Sequence, residues 1–260
     1  MRFRMLLWTL ILLCPTSVIA QQAEPPRLYA QISLSQTRIA FALAGDVWVV
    51  PRAGGTAARV TTGPEDDSHP SFSPDGTRIA FSRAVGGNAD VNVVPVDGGS
   101  PARLTFHPAS ELVRGWSPNG ADILFTAART LAWQSRLHVV PANGGPSREL
   151  PIPLAWNGVF APDGRIVYNA REVIGRYATS WRGYRGGSMG ALAIADLGAG
   201  TFTPLSSDQG NDRLPVRAGD RLLFASDRAG GLYDAHALDL ASGRTSPLTH
   251  FSGTGIGALA

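Results

Sequence analysis

The 260-residue sequence contains no lysine; all 23 of its cationic side chains are arginine. Beside abundant alanine, 30 glycines and 19 prolines, this reads as the imprint of a GC-rich genome rather than selection for bidentate anion binding. There is one cysteine, Cys14. An intrachain disulfide is therefore excluded, and thiol chemistry leaves with the N-terminal segment that carries Cys14. Outside that segment no window holds a long apolar stripe at 3.6-residue spacing, which excludes a helical protein. Excess charge is scarce as well. The formal net charge of +3 falls to +1 without Arg2 and Arg4, so no basic field recommends nucleic acid as a partner.

What is present at the N-terminus is a secretory pattern. Arg2 and Arg4 precede an apolar core, Leu6 to Leu13, too short to span a bilayer. Val18-Ile19-Ala20 then supplies a cleavage site. Residues 1–20 are expected to be a signal peptide and 21–26 a short linker, with no stable membrane anchor after cleavage. Export without cysteine fits a bacterial periplasm, where a large β core needs no covalent staple. The expected location is periplasmic or secreted.

A phrase recurs along the rest of the chain. Ser73-Pro74-Asp75-Gly76 returns as Ser117-Pro118-Asn119-Gly120 and as Ala161-Pro162-Asp163-Gly164, each prolyl residue 44 positions after the last. A fixed period of this size marks a repeat architecture. After each turn comes a short apolar run, such as Ile79-Ala80-Phe81 or Ile123-Leu124-Phe125. A second run follows, such as Val91-Asn92-Val93-Val94, then a glycine turn such as Gly98-Gly99 and a last segment ending in Leu104-Thr105. The runs are β-branched or aromatic and bounded by Gly, Pro, Asn and Asp, which is strand and hairpin chemistry. Four strands per 44 residues make one propeller blade per repeat. The expected fold is all-β: a propeller of four-stranded blades over residues 27–260. Five repeats fall at about 27–62, 63–107, 108–151, 152–206 and 207–250, with the start of a sixth at 251–260, as in a truncated six-bladed ring.

Three motifs are candidates for chemistry. Gly186-Gly187-Ser188-Met189-Gly190 fits the spacing of a nucleophile elbow, but that device needs a strand-to-helix turn, and Ala191 to Asp196 aligns with a blade strand. Glu65-Asp66-Asp67-Ser68-His69 offers oxygen ligands and an imidazole, yet lacks metal-site spacing and is expected on a solvated connection between blades. No catalytic residue, cofactor or metal site is assigned. His138 and His236 occupy equivalent strand positions, which argues for packing. The one dense basic and aromatic cluster holds Arg171, Arg176, Tyr177, Trp181, Arg182, Tyr184 and Arg185. Of these, Arg176, Trp181, Arg182, Tyr184 and Arg185 are the candidate peptide-binding residues, since guanidinium groups beside aromatic rings can hold carboxylates and peptide backbone. The rival reading is a loop that braces neighbouring blades.

The repeats resemble the WD40-like propellers of periplasmic TolB and of tricorn-type serine proteases. The more specific resemblance lies in the fourth blade, where the spacing of glycine turns stretches from 46 residues (Gly99 to Gly145) to 55 (Gly145 to Gly200). The added stretch contains Trp181-Arg182-Gly183-Tyr184-Arg185-Gly186-Gly187, similar to a phrase of the tricorn family's six-bladed N-terminal propeller. Phe224-Ala225-Ser226-Asp227-Arg228-Ala229-Gly230-Gly231 is similar to that family's next blade. The resemblance implies the propeller portion of a peptidase, a peptide channel and assembly scaffold for a serine protease region that itself has no counterpart here. It implies peptides or a protein partner at the propeller mouth, and homo-oligomers through the missing region. Adjacent arginines that in some members hold a peptide's C-terminus are reduced here to Arg114. The alternatives are a non-catalytic TolB-like protein-binding propeller and the propeller half of an amidohydrolase fusion.

Overall fold

The computed structural model describes residues 30–130, 134–170, 185–186, 189–205, 210–218, 221–230 and 232–252. These form twenty strands and, among the described residues, no helix. Blade one is β1 (Ala30–Leu34), β2 (Arg38–Leu43), β3 (Asp46–Pro51) and β4 (Ala58–Arg59). Blade two is β5 (Asp66–Phe72), β6 (Arg78–Val85), β7 (Asn88–Pro95) and β8 (Ala102–Arg103). Blade three is β9 (Glu111–Trp116), β10 (Asp122–Ala127), β11 (Arg136–Pro141) and β12 (Arg148–Glu149). Blade four is β13 (Gly158–Phe160), β14 (Ile166–Ala170), β15 (Ala191–Asp196) and β16 (Thr201–Pro204). Blade five is β17 (Asp212–Ala218), β18 (Arg221–Ser226), β19 (Asp234–Asp239) and β20 (Thr245–Pro247). Every sheet is antiparallel and runs in simple sequence order. The first strands of successive blades pack on one another, so β1, β5, β9, β13 and β17 lie innermost.

The recurring turn is explained by its hydrogen bonds. Ser73 Oγ donates to Asp75 Oδ1 at 2.6 Å and accepts from the Arg78 amide at 3.0 Å. Asp75 Oδ1 also accepts from the amide and hydroxyl of Thr77. Bonds from Ser73 and Thr77 hold the Asp75 carboxyl down at about 2. Gly76 takes φ +71°, which is why glycine closes the phrase. Asn119 replaces the aspartate in blade three and repeats the bond from Ser117 Oγ at 2.7 Å.

Alternation along β2, β6, β10, β14 and β18 builds the cores between blades. Ala80, Val91 and Val93 of blade two meet Ile123, Phe125 and Val140 of blade three. Leu124, Leu137 and Val139 meet Ile166, Tyr168 and Ala193 of blade four. Ala40, Val47 and Val49 of blade one meet Ile79, Phe81 and Val94. Val167, Leu192 and Ile194 meet Leu222, Phe224 and Leu238 of blade five. Each blade thus turns one residue set toward the blade before it and the interleaved set toward the blade after.

A second repeated device ties the third strand to the fourth. Thr61, Thr105 and Thr249 each accept, through Oγ1, the amide hydrogen of Val47, Val91 and Ala235, all at 2.9 Å. Asp46 pairs with Arg59 at 2.6 Å and Asp90 with Arg103 at 2.7 Å. Blade three reverses the charges at the same two positions, Arg136 against Glu149 at 3.3 Å. The cross-strand geometry is therefore kept while the residue types are exchanged.

His138 stacks on Phe125 (centroids 5.3 Å apart) and His236 on Phe224 (5.6 Å), in the packing role their equivalent positions indicated. Burial lowers both imidazole pKa values. One expectation fails. Asp66 to His69 are not a solvated connection but the start of the innermost strand β5. Their polar side chains hid a strand because its buried positions are Asp67, Pro70 and Phe72, an acid and a proline among them, and a bulge between Ser68 and Ser71 breaks the alternation. Asp67 is closed by Arg83, with Nε at 2.7 Å and Nη2 at 2.8 Å, which occupies both carboxylate oxygens.

Candidate functional site

The innermost strands are bulged, and the bulges gather polar groups around the axis. Register shifts interrupt β1, β5, β9 and β17 against their second strands. Gln31, His69 and Leu214 sit in these bulges with φ of 55°, 53° and 54°. Left-handed backbone costs a non-glycine residue about 1 kcal/mol, and such residues persist where neighbours hold them. Here the holding is visible: the His69 amide donates to Gln31 Oε1 at 2.7 Å, across from blade two to blade one. His69 Nδ1 lies 3.2 Å from Ser68 Oγ. Further bonds stitch the same strands. The Phe72 amide donates to Ser33 Oγ at 3.1 Å and Trp116 Nε1 to the Ser71 carbonyl at 2.9 Å.

Arg114 projects from the bulge of β9. Its Nε donates to Thr126 Oγ1 at 3.0 Å, and its guanidinium carbon lies 5.8 Å from the ring centre of Trp156, which precedes β13. Among the described residues no carboxylate pairs with it. Burial pushes its pKa down to about 10. Burial, and secondarily the charge of Arg114, pushes His69 down to about 4. Three successive blades therefore bring His69, Arg114 and Trp156 to one place: an uncompensated cation, a neutral imidazole and an aromatic face. Such a set can accept a carboxylate or carbonyl oxygen. The sequence singled out Arg114 alone and left His69 in a different motif, because the bulges that converge them are not visible in a repeat pattern.

The depressed His69 pKa sets a sign for stability. With a folded value of about 4 against 6.5 unfolded, the unfolded chain takes up the proton first as pH falls. Stability contributed by this group is full above pH 6.5 and is lost between there and about 4. The expected loss is about 2–3 kcal/mol. Urea unfolding at pH 7 and pH 4.5 reads it, and His69→Gln should flatten the difference. An unchanged profile in the variant would remove His69 as the cause.

The peptide-binding candidates divide. Arg176, Trp181, Arg182 and Tyr184 lie outside the described residues, as does Ser188. Arg185 is described: its Nη1 donates to Asp227 Oδ2 at 2.9 Å and its Nη2 to the Asp227 carbonyl at 3.4 Å. Asp227 Oδ1 accepts from the Asn211 amide at 2.8 Å, and Asn211 Oδ1 accepts from the Gly190 amide at 2.6 Å. Arg185 is thus fastened to a buried network that joins blade four to blade five. Gly190 has a packing reason of its own. A Cβ there would lie 2.7 Å from both Asn211 Oδ1 and the Asp212 carbonyl. The segment after Ser188 is strand β15, so the turn into a helix that an elbow requires is absent there.

Fold and inner site together define an all-β propeller of four-stranded blades with a polar cluster at its axis. Residues 26–259 match the tricorn protease N-terminal beta propeller domain, and the chain belongs to that family. It is 34% identical over 209 residues to Tricorn protease homolog 1 of Streptomyces coelicolor, a match covering 76% of this chain and 19% of that protein. The crystal structure of the tricorn protease superimposes with a TM-score of 0.73 at 23% identity, over 88% of this chain and 23% of that one. The putative TolB of Agrobacterium tumefaciens superimposes with a TM-score of 0.70 at 19% identity, over 86% and 82%. The chain spans 19% of the length of its curated relatives.

Proposed function

We propose that this chain is the exported propeller portion of a tricorn-like peptidase, which guides peptides past its axis and presents an assembly surface to a catalytic region. The observation that carries the reading is family membership over residues 26–259. The Arg114 cluster gives it a chemical form. A peptide's terminal carboxylate matches a planar guanidinium that lacks an acid among the described residues. His69 and Gln31 of the neighbouring blades add donors and acceptors for peptide backbone. The Arg176 to Arg185 segment extends the same basic and aromatic chemistry in this reading. In this reading catalysis belongs to a region outside the propeller.

The test uses protein recovered from the periplasm, whose intact mass should begin at Gln21. A short peptide with a free C-terminal carboxylate should bind it, and the same peptide with a C-terminal amide should bind about tenfold more weakly. Arg114→Gln should remove that preference while circular dichroism keeps the β signal. Equal binding of the two peptides to the unaltered protein would overturn the carboxylate reading. A retained Met1 would overturn export.

A further inference from the structure

The seam between blades three and four is open where the two seams before it are filled. The residue that opens the second strand is Arg38 in blade one, Arg78 in blade two and Asp122 in blade three. Arg38 Nη1 reaches across to Asp97 of blade two at 2.7 Å. Arg78 Nη1 reaches across to the Ala142 carbonyl at 3.3 Å and Asn143 Oδ1 at 3.0 Å of blade three, with its guanidinium 5.0 Å from the Trp116 ring centre. Asp122 is shorter and of opposite charge. Gly198 stands on blade four where Asp97 and Asn143 stand on the blades before it.

The turns record the same break. A Cβ at Gly76 would lie 3.7 Å from Ser35 of the preceding blade, and one at Gly120 would lie 3.6 Å from Pro74. At Gly164 nothing comes within 4 Å. The result is a cleft of about 390 Å³ between the blades. Asp122, Phe160 and Leu197 line it, with Arg148 at its edge. Phe160 takes the place of Trp116, and Leu197 that of Ala142. Asp163, also in the lining, is already paired with Arg165 at 2.7 Å. Neither the Asp122 carboxylate nor Arg148 has a hydrogen-bonding or ionic partner among the described residues.

We propose that this cleft is a subsite for an arginine side chain carried on a peptide segment. The filled seam between blades two and three shows the fit. There a guanidinium lies along an aromatic wall and donates to the carbonyl of the next blade's third-strand turn. In the open seam the aromatic wall and the equivalent turn remain, and the resident arginine is exchanged for a carboxylate. A guanidinium entering from outside finds Asp122, whose planar oxygens match it, and Phe160 to stack on. Its methylene stem lies against Pro162 and Leu197, over a floor of the buried Val139, Leu150 and Ile166. Arg148 faces the acidic or carboxyl-terminal group of the same segment. This subsite does not depend on the axial cluster, and its readouts are separate.

The test titrates the full chain with acetyl-Ala-Arg-Ala-amide and with its citrulline counterpart, which keeps the shape but loses the charge and exchanges one NH2 donor for a carbonyl oxygen. Calorimetry should show the arginine peptide binding and the citrulline peptide about tenfold weaker. Asp122→Arg restores the repeat's own residue, so it should fill the seam and abolish binding while keeping or raising the melting temperature. Asp122→Asn, which preserves shape, should weaken binding about as much as citrulline does. Absence of binding to the unaltered chain, equal affinity for the two peptides, or undiminished binding by Asp122→Arg would each overturn the proposal.

Discussion

Joining a sixth four-stranded repeat of the same family to this chain is expected to raise its melting temperature by roughly 10 °C. The described residues form five blades and four cores, between consecutive blades only. No comparable packing of β17 on β1 occurs among the described residues. On the corresponding face blade one holds Ile39, Trp48 and Val50, the positions that in blade two hold Ile79, Asn92 and Val94. Phe81 and Val94 are fully buried by blade one, whereas Ile39, Trp48 and Val50 are only half-buried. Covering such a face contributes about 3–5 kcal/mol at the usual value per unit of apolar area, because stability in a stacked repeat is a sum of neighbour terms. The chain alone should self-associate with rising concentration, read by sedimentation, through that face and its unpaired edge. Ile39→Thr with Val50→Thr should reduce the association. A monomer at every concentration, with a cooperative melt that the added blade does not shift, would show that five blades close by themselves.

The fold was legible because a repeat states its own rules several times. Each Pro-Asp-Gly or Pro-Asn-Gly phrase names a hairpin, and the alternating Ile-Ala-Phe set names the two faces of a blade. Comparison between repeats carried further than any single motif. The equivalent positions of His138 and His236 gave their packing role, and the stacked phenylalanines supply its reason. The family resemblance was likewise readable in the Ser226-Asp227-Arg228 phrase. The structure now gives that phrase a physical cause: Asp227 anchors Asn211 and Arg185, and Arg228 closes on Asp212 at 2.6 Å. Less was legible at the axis. His69 and Arg114 are 45 positions apart and look unrelated, because a β-bulge leaves no compositional mark. Strand β5 escaped for a related reason: Asp67 occupies an inward position that an apolar residue would have advertised. The open seam escaped as well, since an aspartate in a repeat of arginines reads as drift until the neighbouring seams show what the arginines do.

Glu111→Ala should destabilise the fold by about 3–5 kcal/mol, the cost of leaving a buried cation without its partner. Glu111 is fully buried at the start of β9. Its Oε1 receives Nη2 of Arg129, which also donates to Ser147 Oγ at 3.0 Å and lies 5.3 Å from the Phe125 ring centre. The same device occurs in two other blades, as Asp67 with Arg83 at 2.7 Å and Asp212 with Arg228 at 2.6 Å. In all three the acid is almost entirely enclosed and the arginine retains under a fifth of its side-chain exposure, so solvent screens these pairs little. They differ from Asp46 with Arg59, where the arginine is 41% exposed and the pair contributes about 0–1 kcal/mol. A buried pair gains little over a well-packed apolar pair of similar volume, but half of a pair is costly. Glu111→Leu combined with Arg129→Met should therefore recover most of the loss seen in Glu111→Ala. Urea unfolding followed by tryptophan fluorescence measures both variants. A loss below about 1 kcal/mol in the single variant, or a double variant as damaged as the single one, would show that the interior of blade three does not depend on this charge being paired.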